Sequence, residues 1–236
     1  MSRTGSSTRT LTALVRWPFG VGLTSWRYMW RTTPMRRLEM EEQAGRSEPP
    51  PLPEQVELGD ALLPEQGFGP LFHRLYRVAI EEANLRAAEL MGRIQVDPNA
   101  VSPKEFARFH KVDGASGRMH LGDDYLIHMP GPWNGPVRVV DLTTHSFRFM
   151  TLKGHLEAGQ IEFRATDDVG LIFEIESWAR SGDRLSHVLY DNLRMAKEIQ
   201  LHMWTSTLER VVKVSGGVRH DLIRVETHRT VVDGRP

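Results

Sequence analysis

The apolar positions of this chain change their period along its length, and the changes mark out its elements. Leu71 to Ile80 (LFHRLYRVAI) is dense in aromatic and β-branched side chains, which predicts a first strand. The next stretch, LRAAELMGRI, is built of helix formers; Asn84 stands where a cap is needed and Asp97-Pro98-Asn99 where the helix must end. Ser102-Pro103 reads as a further helical turn. Six strand-like segments of similar length follow: Phe106 to Val112, Asp124 to Met129, Val137 to Leu142, Phe147 to Leu152, Gln160 to Ala165 and Leu171 to Trp178. The breaks between them (DGASG, PGPWNGP, TTHS, GHLEAG, TDDVG) are rich in turn residues, so the strands form an antiparallel meander. From Asp183 the period becomes helical. Leu185, Val188, Leu189, Leu193, Ala196, Ile199, Met203 and Val211 share one face, and Arg194, Lys197, Glu198, Thr205 and Glu209 take the other. With Ser181-Gly182-Asp183 as start and Gly216-Gly217 as stop, about 32 residues give a helix on the order of 48 Å long. A helix of that length with one apolar stripe must lie on a large apolar surface, and the sheet is the one this chain supplies.

The two ends follow different rules. Residues 1–38 form a basic aromatic arm: seven arginines, no acid, and three of the six tryptophans. Since the whole chain is formally neutral, the remainder carries a net charge of minus seven. Phe19, Leu23, Trp26 and Trp30 lie on one helical face. The longest uncharged run there, Trp17 to Trp26, falls well short of the roughly 20 residues a bilayer span needs. The arm is therefore expected either to wrap the domain or to dock on an anionic membrane or a partner surface, and only weakly to suit nucleic acid. Residues 39–69, with Pro49-Pro50-Pro51-Leu52-Pro53, read as an extended linker, residues 70–217 as the folded domain, and residues 218–236 as a tail that forms either an extra edge strand or no regular element.

Strand, helix pair, six-strand meander and long terminal helix is the element order of the helix-grip fold, an α+β architecture in which a curved antiparallel sheet wraps the last helix. GHLEAGQIEF and the apolar strand LIFEIESWARSGD, followed by a long helix, resemble an uncharacterised family of bacterial and plant proteins, a domain of unknown function in the START-like helix-grip superfamily. The resemblance covers roughly Phe72 to Val214. It implies a hydrophobic small molecule or lipid held between sheet and helix, or a cyclase- or lyase-type enzyme built on the same cavity. It brings no catalytic residues with it. A third reading is an interaction protein with a filled core.

Composition narrows the chemistry. The chain has no cysteine, which excludes disulfides, thiolate metal sites and cysteine nucleophiles. No phosphate-binding loop, nucleophile elbow or dinucleotide fingerprint is present, and His110, His128 and His202 have no metal-ligand spacing, so neither cofactor nor metal is called for. His155 and Glu157 form H-x-E at a turn. They are acid-base candidates, although His155 equally suits a corner that bonds its own backbone. Glu162, with Arg148, Arg164, Glu174 and Glu176, alternates against Ile161, Phe163, Phe173 and Ile175. Period two puts these charges on the solvated face of the sheet; in the opposite register Glu162 and Glu176 would be paired carboxylates in a cavity. Asn192, Gln200 and Thr207 fall on or beside the apolar face of the long helix, where each needs a partner, and Trp133 is placed to cover an entrance. These four are the candidate ligand contacts. The chain is expected in the cytoplasm, with the arm as its means of membrane association.

Overall fold

The computed structural model describes residues 34–42, 48–129, 134–182 and 194–230. They form ten strands, two helices and two short 3-10 turns. The strands are β1 (Met35–Glu42), β2 (Phe68–Glu81), β3 (Arg108–Asp113), β4 (Asp124–His128), β5 (Asn134–Leu142), β6 (Ser146–Thr151), β7 (Glu157–Thr166), β8 (Leu171–Ser181), β9 (Val218–Arg219) and β10 (Ile223–Thr230). The helices are α1 (Ala87–Val96) and α2 (Arg194–Ser215). One curved sheet runs β1-β10-β2-β8-β7-β6-β5-β4-β3, with β9 beside β2; all pairs are antiparallel except β1 with β10. This is the helix-grip fold, with α2 packed across β2 and β8.

Alternation explains which face is buried. Tyr76, Val78 and Ile80 of β2 pair with Ile175, Phe173 and Leu171 of β8, and Ile175 and Phe173 pair in turn with Phe163 and Ala165 of β7. All lie on one face of the pleat. There they join Phe147 and Phe149 of β6, Leu90, Met91 and Ile94 of α1, and Leu201, Trp204, Leu208 and Val211 of α2 in one core. Register shifts between β2 and β8, β3 and β4, and β5 and β6 are bulges that bend the strands and help curve the sheet.

Several expectations are corrected. Asn84 does not cap α1. Its side chain donates to the Gly216 carbonyl at 3.4 Å and its amide donates to Ser215 O, so it secures the end of α2. The first amide of α1, at Ala87, instead donates to the Asp167 carboxylate at 3.0 and 3.1 Å, a cap delivered from the β7–β8 turn. Residues 39–69 do not stand off as a spacer. Met35–Glu42 is strand β1, and Val56 and Ala61 bury against Val140 and Met150 on the face away from α2, with Leu52, Leu58 and Leu63 around them. The prolines there still offer carbonyls: Gln160 Nε2 donates to Pro50 O and Arg148 Nη2 to Pro51 O. The tail supplies β10, an interior strand between β1 and β2. Thr205, expected on the polar side of the long helix, is fully buried, its hydroxyl donating to Leu201 O at 2.9 Å. The described helix begins at Arg194, so the reading of residues 183–193, like that of residues 1–33, lies outside the described residues. Among the described residues no helix is long and apolar enough to cross a membrane.

Candidate functional site

The inner face of the sheet, the one α2 covers, is not apolar throughout. Phe147, Phe149, Phe163 and Phe173 fill it toward one end. Toward the other, in the same pleat register, stand Gly159, Ser177, Ala179 and Ser181. Gly159 has no freedom to be larger, since an added Cβ would collide with the Trp178 carbonyl. Side chains thus shrink along the inner face in the direction of Glu157, the first residue of β7.

Polar groups gather at that end. Arg74 on β2 is in phase with Tyr76 and Val78, faces Ser177 across β8 and is only 6% exposed. Its Nη1 lies 3.8 Å from Glu157 Oε1, and Gln200 of α2 donates from Nε2 to both Glu157 oxygens at 3.1 and 3.2 Å. Sheet and helix are therefore joined here through one carboxylate. Two further groups on this side are not matched among the described residues: Ser177 Oγ, opposite Arg74 in the register, and Trp204 Nε1, one turn of α2 beyond Gln200, are buried with no hydrogen-bond partner there. The Trp204 ring makes a T-shaped contact with Phe163, ring centroids 5.6 Å apart. A buried unpartnered polar group is costly, and an indole can only donate while a hydroxyl does either. The arrangement is suited to receiving an oxygen acceptor.

The opposite face carries a different polar system. Arg164 donates to Glu174 Oε2 at 2.7 Å and to Glu176 Oε2 at 2.6 Å, Arg77 lies 3.3 Å from Glu174, and His73 Nε2 is 2.7 Å from Glu176 Oε1. His73 stacks on Trp178 and on His228. Burial would raise the Glu176 carboxyl, but the hydrogen bond to His73 and the Arg164 guanidinium outweigh it and hold that group below its usual range. Glu162, opposite Glu176 in the register, is shifted the other way. Burial pushes its carboxyl up, with Glu176 and Asp141 adding to the push against Arg164 and Arg148. The face is the one alternation assigned, yet it is not solvated: Glu162, Glu174 and Glu176 side chains are only 10–16% exposed.

The sequence candidates are therefore dispersed. Glu157 and Gln200 meet on the inner face. Glu162, five residues along β7 from Glu157, is on the outer one, so the two carboxylates cannot serve one substrate. His155 sits at the corner before β7. Its Nδ1 is 2.9 Å from the Glu157 amide nitrogen and 3.0 Å from the Glu157 carbonyl oxygen, and its Nε2 crowds Gly135 of β5, where an added Cβ would lie 2.8 Å away. Burial lowers its pKa. That geometry makes His155 a corner fastener. Thr207 is buried and donates to Met203 O at 2.9 Å, so its hydroxyl is already satisfied by the helix. Asn192 and Trp133 lie outside the described residues. Sequence reasoning passed over Arg74, Ser177 and Trp204, although a signal existed for two of them: Arg74 is in phase with Tyr76, Val78 and Ile80, and Ser177 with Phe173 and Ile175. Among the described residues no three histidines, aspartates or glutamates gather as a metal site would require.

Comparison with known proteins adds the following. Residues 102–210 match the model of the DUF1990 family, a domain of unknown function, and the match contains both GHLEAGQIEF and the strand after it. No curated protein matches the chain. Among solved structures, the chain is similar to ginseng major latex-like protein 151 from Panax ginseng, at 10% identity and a TM-score of 0.45, over 62% of this chain and 99% of that one. It is also similar to the di-domain ARO/CYC StfQ of the steffimycin biosynthetic pathway, at 10% identity and a TM-score of 0.47, over 65% of this chain and 52% of that one. A third is norcoclaurine synthase from Thalictrum flavum in complex with dopamine and hydroxybenzaldehyde, at 9% identity and a TM-score of 0.40, over 61% of this chain and 84% of that one.

Proposed function

We propose that this chain, with its DUF1990 region at residues 102–210, holds a largely apolar small molecule between the inner face of the sheet and α2. The observation that carries the reading is the pair of buried polar atoms without a partner among the described residues, Ser177 Oγ and Trp204 Nε1, on the side that holds the Arg74–Glu157–Gln200 cluster. A fold that leaves two such groups on the side facing its own helix bears a cost of about 1–3 kcal/mol for each, which a ligand oxygen would remove. The phenylalanines set the apolar character of the ligand body, and the smaller residues toward Glu157 leave its polar end at the arginine and the amide. Ligand selection then follows hydrogen bonding: a molecule with a carbonyl or phenolic oxygen is preferred over its deoxygenated analogue.

The test is to extract small molecules from the purified full chain, identify them by mass spectrometry, and titrate the recovered compound back by calorimetry. Wild-type chain and Glu162→Gln should bind it alike, since Glu162 faces away, whereas Ser177→Ala and Gln200→Ala should bind several-fold to tenfold more weakly. Equal affinity in all four would end the reading. A catalytic form of it rests on Glu157, the one acid-base candidate with its carboxylate on the inner side. In that form Glu157→Gln abolishes conversion of the recovered compound while His155→Gln preserves it, and unchanged turnover in Glu157→Gln would remove it.

A further inference from the structure

At one margin of the sheet, β1 reads Met-Arg-Arg-Leu-Glu-Met-Glu-Glu. β10 covers one edge of this strand, and among the described residues no strand pairs with the other. An open edge is a row of main-chain donors and acceptors ready to template another strand. Leu38 and Met40, two residues apart and therefore on one face, are 43% and 44% exposed there.

The order of charges along β1 carries the argument. Two arginines precede the apolar pair and two glutamates follow it, so the strand is complementary to itself when read in the opposite direction. We infer that β1 is a self-recognition edge through which two copies of this chain pair antiparallel about a twofold axis at Glu39. In that register residue 36 stands opposite residue 42 of the second copy, 37 opposite 41, and 38 opposite 40, each twice over. Arginine positions meet glutamate positions, and leucine meets methionine. Opposed residues on paired antiparallel strands share a face, so like chemistry meets on both faces of the joined sheet. Shifting the axis by one residue or by half of one destroys this. An axis at Leu38 sets Arg36 against Met40, and an axis between Leu38 and Glu39 sets Leu38 against Glu39. The one like-charged pair in the chosen register is Glu39 with its own copy, and each Glu39 carboxylate already has Arg37 of its own strand at 2.6 Å. The result is a continuous two-copy sheet joined by an isologous contact, which pairs the outer edge of β1 in both copies, leaves β3 as the margin at either end and leaves the inner site of each copy untouched.

Sedimentation velocity on the full chain tests it. Wild type should show a concentration-dependent dimer. Arg36→Glu with Arg37→Glu, and separately Glu41→Arg with Glu42→Arg, should each weaken self-association on the order of 10- to 100-fold, because every charged pair becomes repulsive. Mixing the two variants should restore dimers as heterodimers, since their charges are complementary at all four positions. A wild type that stays monomeric at the highest concentration, variants that associate as wild type does, or a mixture no better than its components would overturn the inference. A second measurement does not depend on the charge variants folding. The chain has no cysteine, so Glu39→Cys introduces a single thiol. Across the axis it lies about 4.5–5.5 Å, Cα to Cα, from its counterpart, within disulfide reach. Oxidation should yield a covalent dimer for Glu39→Cys and none for Arg37→Cys, whose counterpart is about 14 Å away along the strands. Equal cross-linking at the two positions, or none at 39, refutes the register.

Discussion

Ser177→Ala separates a site waiting for a ligand from an ordinary core serine. The hydroxyl is buried, 4% exposed by residue, with Arg74 on one side in the register and Ile161 on the other, and no group among the described residues bonds it. For a hydrogen-bonded serine the change to alanine would cost about 0.5–1.5 kcal/mol. Here the substitution removes an unsatisfied polar atom, whose burial costs about 1–3 kcal/mol, and gives back a few tenths through the weaker strand preference of alanine. The ligand-free chain should therefore gain about 0.5–2 kcal/mol of unfolding free energy, which for a chain of this size raises Tm by roughly 2–6 °C. Urea unfolding of extracted, ligand-free protein measures the gain, with m unchanged because the exposed surface is the same. The recovered ligand should reverse the order: wild type is stabilised more than Ser177→Ala at equal ligand concentration, since the variant lacks one contact. A ligand-free variant that loses about 1 kcal/mol or more would show that the hydroxyl has a partner in solution, and the argument from unmatched polar atoms would fail.

Two further outcomes follow from the charges. Arg164→Met leaves Glu174 and Glu176 without their shared guanidinium, and the chain should lose about 2 kcal/mol at pH 7, read by chemical denaturation. Because Glu176 is held below its usual pKa when folded, that stabilisation is present above the unfolded carboxylate value and drains away as pH falls through the folded one, so wild type and variant should converge in acid. A gap that persists undiminished at pH 3 contradicts the assignment. His155 behaves in the opposite sense to a salt-bridged histidine. Its folded pKa is lowered by burial, so the unfolded chain takes up the proton first, and stability should fall as pH drops through about 6.5 toward the folded value. His155→Gln should flatten the pH 5–7 part of the stability profile, and an unchanged slope would place that titration elsewhere.

Much of the fold was legible because it is written in short-range periodicity. The strand segments from Leu71 to Trp178 and the helical period into Val211 follow from alternation and helical spacing, which side-chain direction enforces locally. Alternation also separated Glu162 from Glu157 in principle, since residues an odd number apart on a strand cannot share a face. What local pattern could not supply was partners distant in sequence. Asn84 looked like a cap because it precedes a helix, but Asp167 is the group that reaches Ala87. Pro49 to Pro53 looked like a spacer because proline cannot join a ladder, yet Leu52 and Val56 found Val140 and Met150. Thr205 looked polar on the helical wheel and is buried because a threonine can bond the carbonyl one turn back.

By itself, the sequence determined the element order, the antiparallel meander, the terminal helix and the faces on which Phe163, Phe173 and Ile175 had to lie, since each depends on neighbours a few residues apart. Only the tertiary structure decided that Arg74, Glu157 and Gln200 meet, that Ser177 Oγ and Trp204 Nε1 are left without partners among the described residues, and that β1 forms one margin of a sheet whose interior includes the tail strand β10. Those facts join segments 43 to more than 180 residues apart, from the 43 between Glu157 and Gln200 to the pairing of Met35 with Ile223. They depend on register and helix placement, which are set by how the whole core packs and by no local pattern.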